Sequence, residues 1–369
     1  MATHWMKLAL LSMKANRVPF VVGAPGIGKS AMMKALHRSY WGAKADSVPL
    51  WVSMPALSDP TDYCGIPFPQ EGETKRLAPT MVSALSKGGT LFIDEATLAS
   101  PATWSALLRV VLERVVGDVP LHPDVRIVLA ANPVQMTTAG NELPPAAANR
   151  LVHLEADVPS PTEWATWLMT DRVNGDDFDK RAAQLVGGYV SHFGEKALLA
   201  FPADESKRSG AWPSPRAWDA ACALYAAALR DGDPESGLEL VSATVGKGHG
   251  RPFREYVKSA NLPKPRDVLT GAVDWKPDAS RPDYVYPVIA GCAIEAVNGL
   301  AANAKEREFL VDAAWGVILS AANVGQGDFA TSASSPLQVW RSSKSGNPRA
   351  STKNEAAANL KLFGVQTVA

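Results

Sequence analysis

Cysteine is scarce: three in 369 residues, Cys64, Cys222 and Cys292, far apart and never a C-x-x-C pair. That spacing argues against a disulfide framework or a thiolate zinc site and for reduced, buried thiols. Net charge is absent too. Lysine plus arginine equals aspartate plus glutamate at 37 each, which disfavours a protein built to coat nucleic acid. No apolar run reaches membrane-spanning length, and the cluster Leu8–Leu11 stops at Ser12, Met13 and Lys14, short of a signal-peptide core. The expected setting is therefore the cytoplasm, with no membrane partner. Also missing is the Asn/Thr-Lys-x-Asp motif of a guanine-reading switch. What is there, 46% hydrophobic and 20% charged residues, suits a globular chain of two or three domains.

The chain is organised around Val18–Ser30. A short apolar strand runs into Gly23-Ala24-Pro25-Gly26-Ile27-Gly28-Lys29-Ser30, then a helix-like run to Tyr40. This is G-x-x-x-x-G-K-[ST], a spacing with a mechanism. Glycines let the backbone curl so that N–H dipoles and the helix N-terminus hold phosphate oxygens. Lys29 is expected on the β- and γ-phosphates, and the Ser30 hydroxyl on Mg²⁺. ATP and Mg²⁺ are thus the expected ligands.

Further strands are expected at Pro49–Ser53, Thr90–Ile93, Val125–Ala131 and Val152–Glu155. The second of these ends in Asp94-Glu95, where open α/β sheets bind ligands. Asp94 suits the Mg²⁺ shell, and Glu95 suits a base for the attacking water; the bland alternative is a strand ending in solvated acids. The next ends in Asn132-Pro133, where the amide could meet water or γ-phosphate, or merely start a turn. These strands and their helices predict a doubly wound, five-stranded parallel α/β core over 1–157, with a Pro-rich insert carrying a short hairpin at 54–79. Beyond Pro159 only helices are expected: a lid over 158–250, an extension over 251–330, and a mobile Ser/Lys-rich tail with a possible short helix over 331–369. The tryptophans Trp164, Trp167, Trp212 and Trp218 are expected in the core. Arg216 sits in a first helical turn, against the dipole, so either a nucleotide phosphate or a nearby carboxylate should favour it there.

Taken in order, Gly23–Ser30, Leu91–Glu95, Ala130–Pro133, Arg150 and Ser214-Pro215-Arg216 resemble Walker A, Walker B, sensor 1, the arginine finger and sensor 2 of AAA+ ATPases, specifically the MoxR group. Ser58–Gly65 resembles that group's insert, and Glu113–Val125 its hairpin before sensor 1. Asn149-Arg150-Leu151 stands where the group has Asp-Arg-Phe, with Arg114 as the fallback finger. The resemblance implies a homo-oligomeric ring, most often hexameric, with ATP at its interfaces. It also implies a chaperone-like role on a protein client, often with a von Willebrand A-domain partner. A ring motor on nucleic acid is the alternative, supported only by Arg341, Lys344, Arg349 and Lys353 near the C-terminus.

Overall fold

In a computed structural model, residues 4–137, 140–172, 176–260, 262–343 and 352–363 are described. The apolar runs become strands whose burial follows their composition. All five residues of Gly89–Ile93 are buried, as are six of the seven in Val125–Ala131. Strands that apolar need cover on both faces, which a parallel sheet between helices supplies. In chain order the strands are β1 (Pro19–Gly23), β2 (Leu50–Ser53), β3 (Ile66–Gln70), β4 (Glu73–Leu77), β5 (Gly89–Ile93), β6 (Val115–Val116), β7 (Val119–Pro120), β8 (Val125–Ala131) and β9 (Val152–Ala156). Five of them form one sheet in the order β2-β5-β8-β1-β9, and every pair is parallel. The doubly wound α/β expectation therefore holds. The chain crosses β1 to reach β9, so the carboxyl end of β1 is the place where such sheets bind ligands.

Two helices hold that end in place. Helix Lys29–Trp41 follows the glycine loop, and buried His37 ties its far turn to the start of β5. His37 Nε2 must donate to the Ala45 carbonyl (3.1 Å), so Nδ1 accepts from Thr90 Oγ1 (2.9 Å). Helix Pro101–Glu113 is capped by Ser100, which accepts from Thr103 N. Its buried Trp104 donates to the Ala96 carbonyl just past the acids at the end of β5.

The Pro-rich insert carries the antiparallel hairpin β3–β4, from Ile66 opposite Leu77 to Gln70 opposite Glu73. Glu71 and Gly72 turn it with φ of 51° and 81°, both positive, as a tight hairpin twist requires. The small hairpin β6–β7 packs on it. A Cβ at Gly117 would lie 2.7 Å from the Cys64 carbonyl, and Asp118 accepts from Arg76 N at 3.1 Å.

The chain divides into two compact units, 1–158 and 159–369. Among the described residues the second has helices and no strand, with long helices Asp177–Phe193, Pro215–Arg230, Pro234–Val245, Lys247–Ser259, Pro282–Asn298, Ala304–Asn323 and Gly327–Ser343. Its core gathers Trp164, Tyr189, Trp218, Phe253, Tyr286 and Trp315. Of the four tryptophans expected in the core, Trp164 and Trp218 lie there, whereas Trp167 is 38% exposed and Trp212 is half-buried against Phe201 outside that cluster. The expectation for 331–369 is corrected in part: 331–343 is helical, while the short helix expected after it is present. Helix Gly327–Ser343 buries Ala330, Ala333 and Leu337, and helix Lys353–Phe363 follows. Among the described residues no helix is long and apolar enough to cross a membrane.

Candidate nucleotide site

The loop between β1 and its helix takes the shape its glycines allow. Gly26 and Gly28 have φ of 79° and 97°, where a Cβ would be strained. Gly23 serves differently: a Cβ there would stand 2.8 Å from the Ala156 Cβ, so only glycine lets β9 pass beside the loop. Ile27 plugs the loop into the core at 2% exposure, while Ala24 and Pro25 lie half-buried at the rim. Gly28 provides no side-chain cap for the helix it opens, which keeps that N-terminus suited to an anion.

Lys29 is the buried cation of the site, 6% exposed. Its ammonium donates to the Gly23 carbonyl (2.8 Å), the Ala24 carbonyl (3.1 Å) and Asn132 Oδ1 (2.7 Å). Since a lysine can only donate, the Asn132 oxygen must face it, and the Asn132 amide nitrogen then points the other way. That nitrogen donates to both Glu95 oxygens at 2.8 Å. Ser30 Oγ donates to Asp94 Oδ2 at 2.7 Å, and Asp94 Oδ1 accepts from Glu95 N at 3.0 Å. Five of the residues picked out in the sequence thus meet in two short chains: Lys29–Asn132–Glu95 and Ser30–Asp94. Asn132 makes these side-chain bonds and does not merely begin a turn.

Glu95 is held in a left-handed conformation, φ 54° and ψ 41°. Such a backbone costs a non-glycine residue about 1–2 kcal/mol, and this kind of strain gathers at functional sites. The pair Ser30 and Asp94 fits Mg²⁺ by donor chemistry. Both offer hard oxygens, and Mg²⁺ with a nucleotide takes one or two protein oxygens beside phosphates and water. Among the described residues no group of three or more His, Cys, Asp or Glu could hold a metal ion.

Within the first unit, the side chains of Arg114 and Arg150 take no part in these two chains. Arg150 is exposed, and its side chain makes no hydrogen bond or ion pair among the described residues. It precedes β9, and β9 runs parallel to β1 with Val152 beside Pro19 and Ala156 beside Gly23. Arg150 therefore stands at the amino edge of the sheet and Lys29 at the carboxyl edge, about 16 Å of strand apart at about 3.3 Å per residue. Arg114, the fallback finger, is turned inward. It donates to the Val125 carbonyl and to Asn16 Oδ1, both at 2.7 Å. Burial, and then the charge of Arg126, push its pKa down. A side chain so engaged does not project, and Arg114 is withdrawn as a finger candidate. Arg216 is exposed in the second unit, in the first turn of a helix whose cap Ser214 accepts from Ala217 N. No carboxylate pairs with it among the described residues, so the ion-pair account of its place finds no partner. Sequence reasoning gave His153 no role beyond its strand, yet its ring reaches back to the Ala148 carbonyl at 2.8 Å; nothing local in the sequence signals that contact.

Comparison with known proteins adds the following. Residues 19–151 match the family model of the AAA domain (dynein-related subfamily). No curated protein matches the sequence. Among solved structures, the Thermotoga maritima RuvB Holliday junction branch migration motor is 16% identical, over 75% of this chain and 78% of that one, with a TM-score of 0.36. NtrX from Brucella abortus in complex with ATP is 17% identical over 76% of this chain and 63% of that one, TM-score 0.40. The ADP complex of NtrX is 14% identical over 91% and 67%, TM-score 0.39. Similarity of that degree says nothing of activity or partner. The family match lies within the first unit, whose parallel sheet and glycine loop have the fold of an α/β AAA+ core, followed in this chain by a helical C-terminal region.

Proposed function

We propose that this chain is a MoxR-like AAA+ ATPase that hydrolyses ATP at the subunit interfaces of a homo-oligomeric ring, in the simplest case a hexamer, and spends that energy remodelling or activating a protein partner. The observation that carries the hydrolytic reading is the Lys29–Asn132–Glu95 chain. It joins a phosphate-binding cation, a polar amide and a carboxylate base in hydrogen-bonding succession.

A γ-phosphate entering the loop competes for Lys29, whose ammonium leaves the Gly23 and Ala24 carbonyls to donate to phosphate oxygens. Asn132 loses its lysine and is free to turn toward the phosphate or the water. Glu95, released from the amide, accepts the proton of the attacking water. Ser30 and Asp94 would hold Mg²⁺, which when bound neutralises charge on the β- and γ-oxygens. Arg150 cannot reach the phosphates of its own loop across the sheet. It acts as a finger on the neighbouring subunit, and Arg216 adds a second compensating charge. A von Willebrand A-domain protein is the partner that the MoxR resemblance suggests. Of the four basic residues that favour a motor on nucleic acid, one is engaged within the chain. Arg341 is bound to Glu355, and Lys344 and Arg349 lie outside the described residues.

Subunit mixing tests the trans arrangement. Lys29→Ala and Arg150→Ala chains should each turn over ATP poorly, the second by about a thousandfold, the usual worth of an arginine finger. When subunits exchange, an Arg150→Ala loop can meet the intact finger of a Lys29→Ala neighbour. In an equal random mixture about a quarter of head-to-tail interfaces are of this kind, and activity should return toward that fraction. Silence despite proven exchange would remove Arg150 from the neighbour's site. Severalfold, salt-sensitive stimulation by duplex DNA would instead promote the motor reading.

A further inference from the structure

The short segment that presents Arg150 is closed by a side chain. Helix Pro145–Ala148 ends at Asn149 and β9 starts at Val152, leaving Arg150 exposed at the tip between them. Three contacts fix the base of that tip. Arg150 N donates to the Ala147 carbonyl at 2.9 Å. Leu151 is buried at 8% exposure. His153 Nε2 donates to the Ala148 carbonyl at 2.8 Å, a carbonyl at the helix end that needs a donor. The imidazole is itself braced, standing edge-on to Phe20 with centroids 5.6 Å apart and planes at 88°; Phe20 is buried in β1, opposite His153 in the β1–β9 register.

We propose that His153 is the positioning residue for Arg150. It clasps the end of helix Pro145–Ala148 to β9, so that the backbone of Arg150 is fixed while its guanidinium stays free to enter the neighbouring subunit's site. This rests on the trans-finger reading above. The demand is geometric: a transition-state contact displaced by about an ångström can lose about a hundredfold in rate, and an exposed arginine on an unclasped loop would sample such displacements. His153→Phe keeps the edge-on packing and removes the donor. His153→Gln keeps a donor of similar reach, because the glutamine amide nitrogen overlays imidazole Nε2.

The mixing experiment can assign the effect to one side of the interface. With His153→Phe placed on the Lys29→Ala chain, which supplies the finger, regained turnover should fall about fivefold or more. Placed on the Arg150→Ala chain, which supplies the P-loop, it should add nothing to the loss already imposed. His153→Gln on the finger chain should recover at least half of the parent value. Hydrogen exchange on the wild-type background gives a second readout: His153→Phe should speed exchange at the 150–151 amides and leave residues 23–30 unchanged. Equal loss from either chain, or no loss from the finger chain, would overturn the assignment. If the parent mixture itself stays silent, the trans finger fails first and the clasp falls with it, an outcome told apart from the others by that control.

Discussion

Two sets of acids, one in each unit, are held in opposite ways. In the helical unit, acids are closed against cations: Glu295 holds Lys180 at 3.0 Å and Arg266 at 3.8 Å, Arg281 meets Asp283 at 2.8 Å, and Arg341 is locked to Glu355. In the AAA+ unit, Asp94 and Glu95 are held by a serine hydroxyl, a side-chain amide and a backbone N–H. Such a bond contributes about 1 kcal/mol, whereas removing one member of a buried ion pair costs about 3–5 kcal/mol. The first arrangement fixes a fold. The second parks a carboxylate where a ligand can claim it. The difference is between charges that finish their work when the chain folds and charges that begin it there.

The strongest test of that contrast is Glu95→Gln. The amide keeps the shape and loses the base, so ATP should bind near-normally while turnover falls about a hundredfold or more. Single-turnover kinetics beside calorimetry read both quantities, and full activity would place the base elsewhere. Lys29→Ala removes hydrogen bonds to charged phosphate worth about 1.5–3 kcal/mol, so affinity for an ATP analogue should drop about tenfold to a hundredfold by titration calorimetry. Near-normal affinity would end the P-loop assignment. On the other side of the comparison, Glu355→Gln breaks an ion pair in which Glu355 is buried and Arg341 is 29% exposed. After discounting for that exposure, about 2 kcal/mol of stability should be lost in urea unfolding, with the affinity for nucleotide unchanged. A loss of nucleotide binding without loss of stability would blur the division.

The smallest effect is one of pH. The Arg281 hydrogen bond holds the Asp283 carboxyl below its usual pKa, against an opposing push from burial. A depressed carboxylate contributes stability that is complete above its unfolded value, about 3.9, and is lost as pH falls through the lower folded value. Asp283→Asn should therefore cost under about 1 kcal/mol at neutral pH, and the gap from wild type should close as pH drops below about 4. A gap that persists at lower pH would mean that packing, not charge, sets the role of Asp283.

Much of the AAA+ core was legible because its signals are local. Gly26, Gly28 and Lys29 declare a loop shape and a charge in eight residues, and Asp94, Glu95 and Asn132 follow apolar runs that can only be buried strands. The contacts of Arg114 were not legible because its partners, Asn16 and Val125, are brought to it by the fold, and no spacing near 114 foretells them. Helix Lys247–Ser259 escaped notice behind Gly248, Gly250 and Pro252, each a poor helix former overridden by the burial of Phe253 and Tyr256. Helix Gly327–Ser343 was hidden likewise by its serines and Pro336. It packs on the bundle through Ala330, Ala333 and Leu337, with Phe329 and Trp340 half-buried beside them, apolar residues interleaved with the serines that mask the pattern.

On the proposed role of Glu95 as the base, its left-handed backbone sets thermostability and turnover against each other at a single codon. Glu95→Gly would relieve a penalty of about 1 kcal/mol, partly offset by the freer unfolded chain, and would delete the base in the same step. A library of this gene selected only for survival of heating would tend to enrich that change and return well-folded, nucleotide-binding, inert proteins. Selection for activity has to carry the strain forward in every generation, so the cost of catalysis here is written into the backbone as well as the side chain.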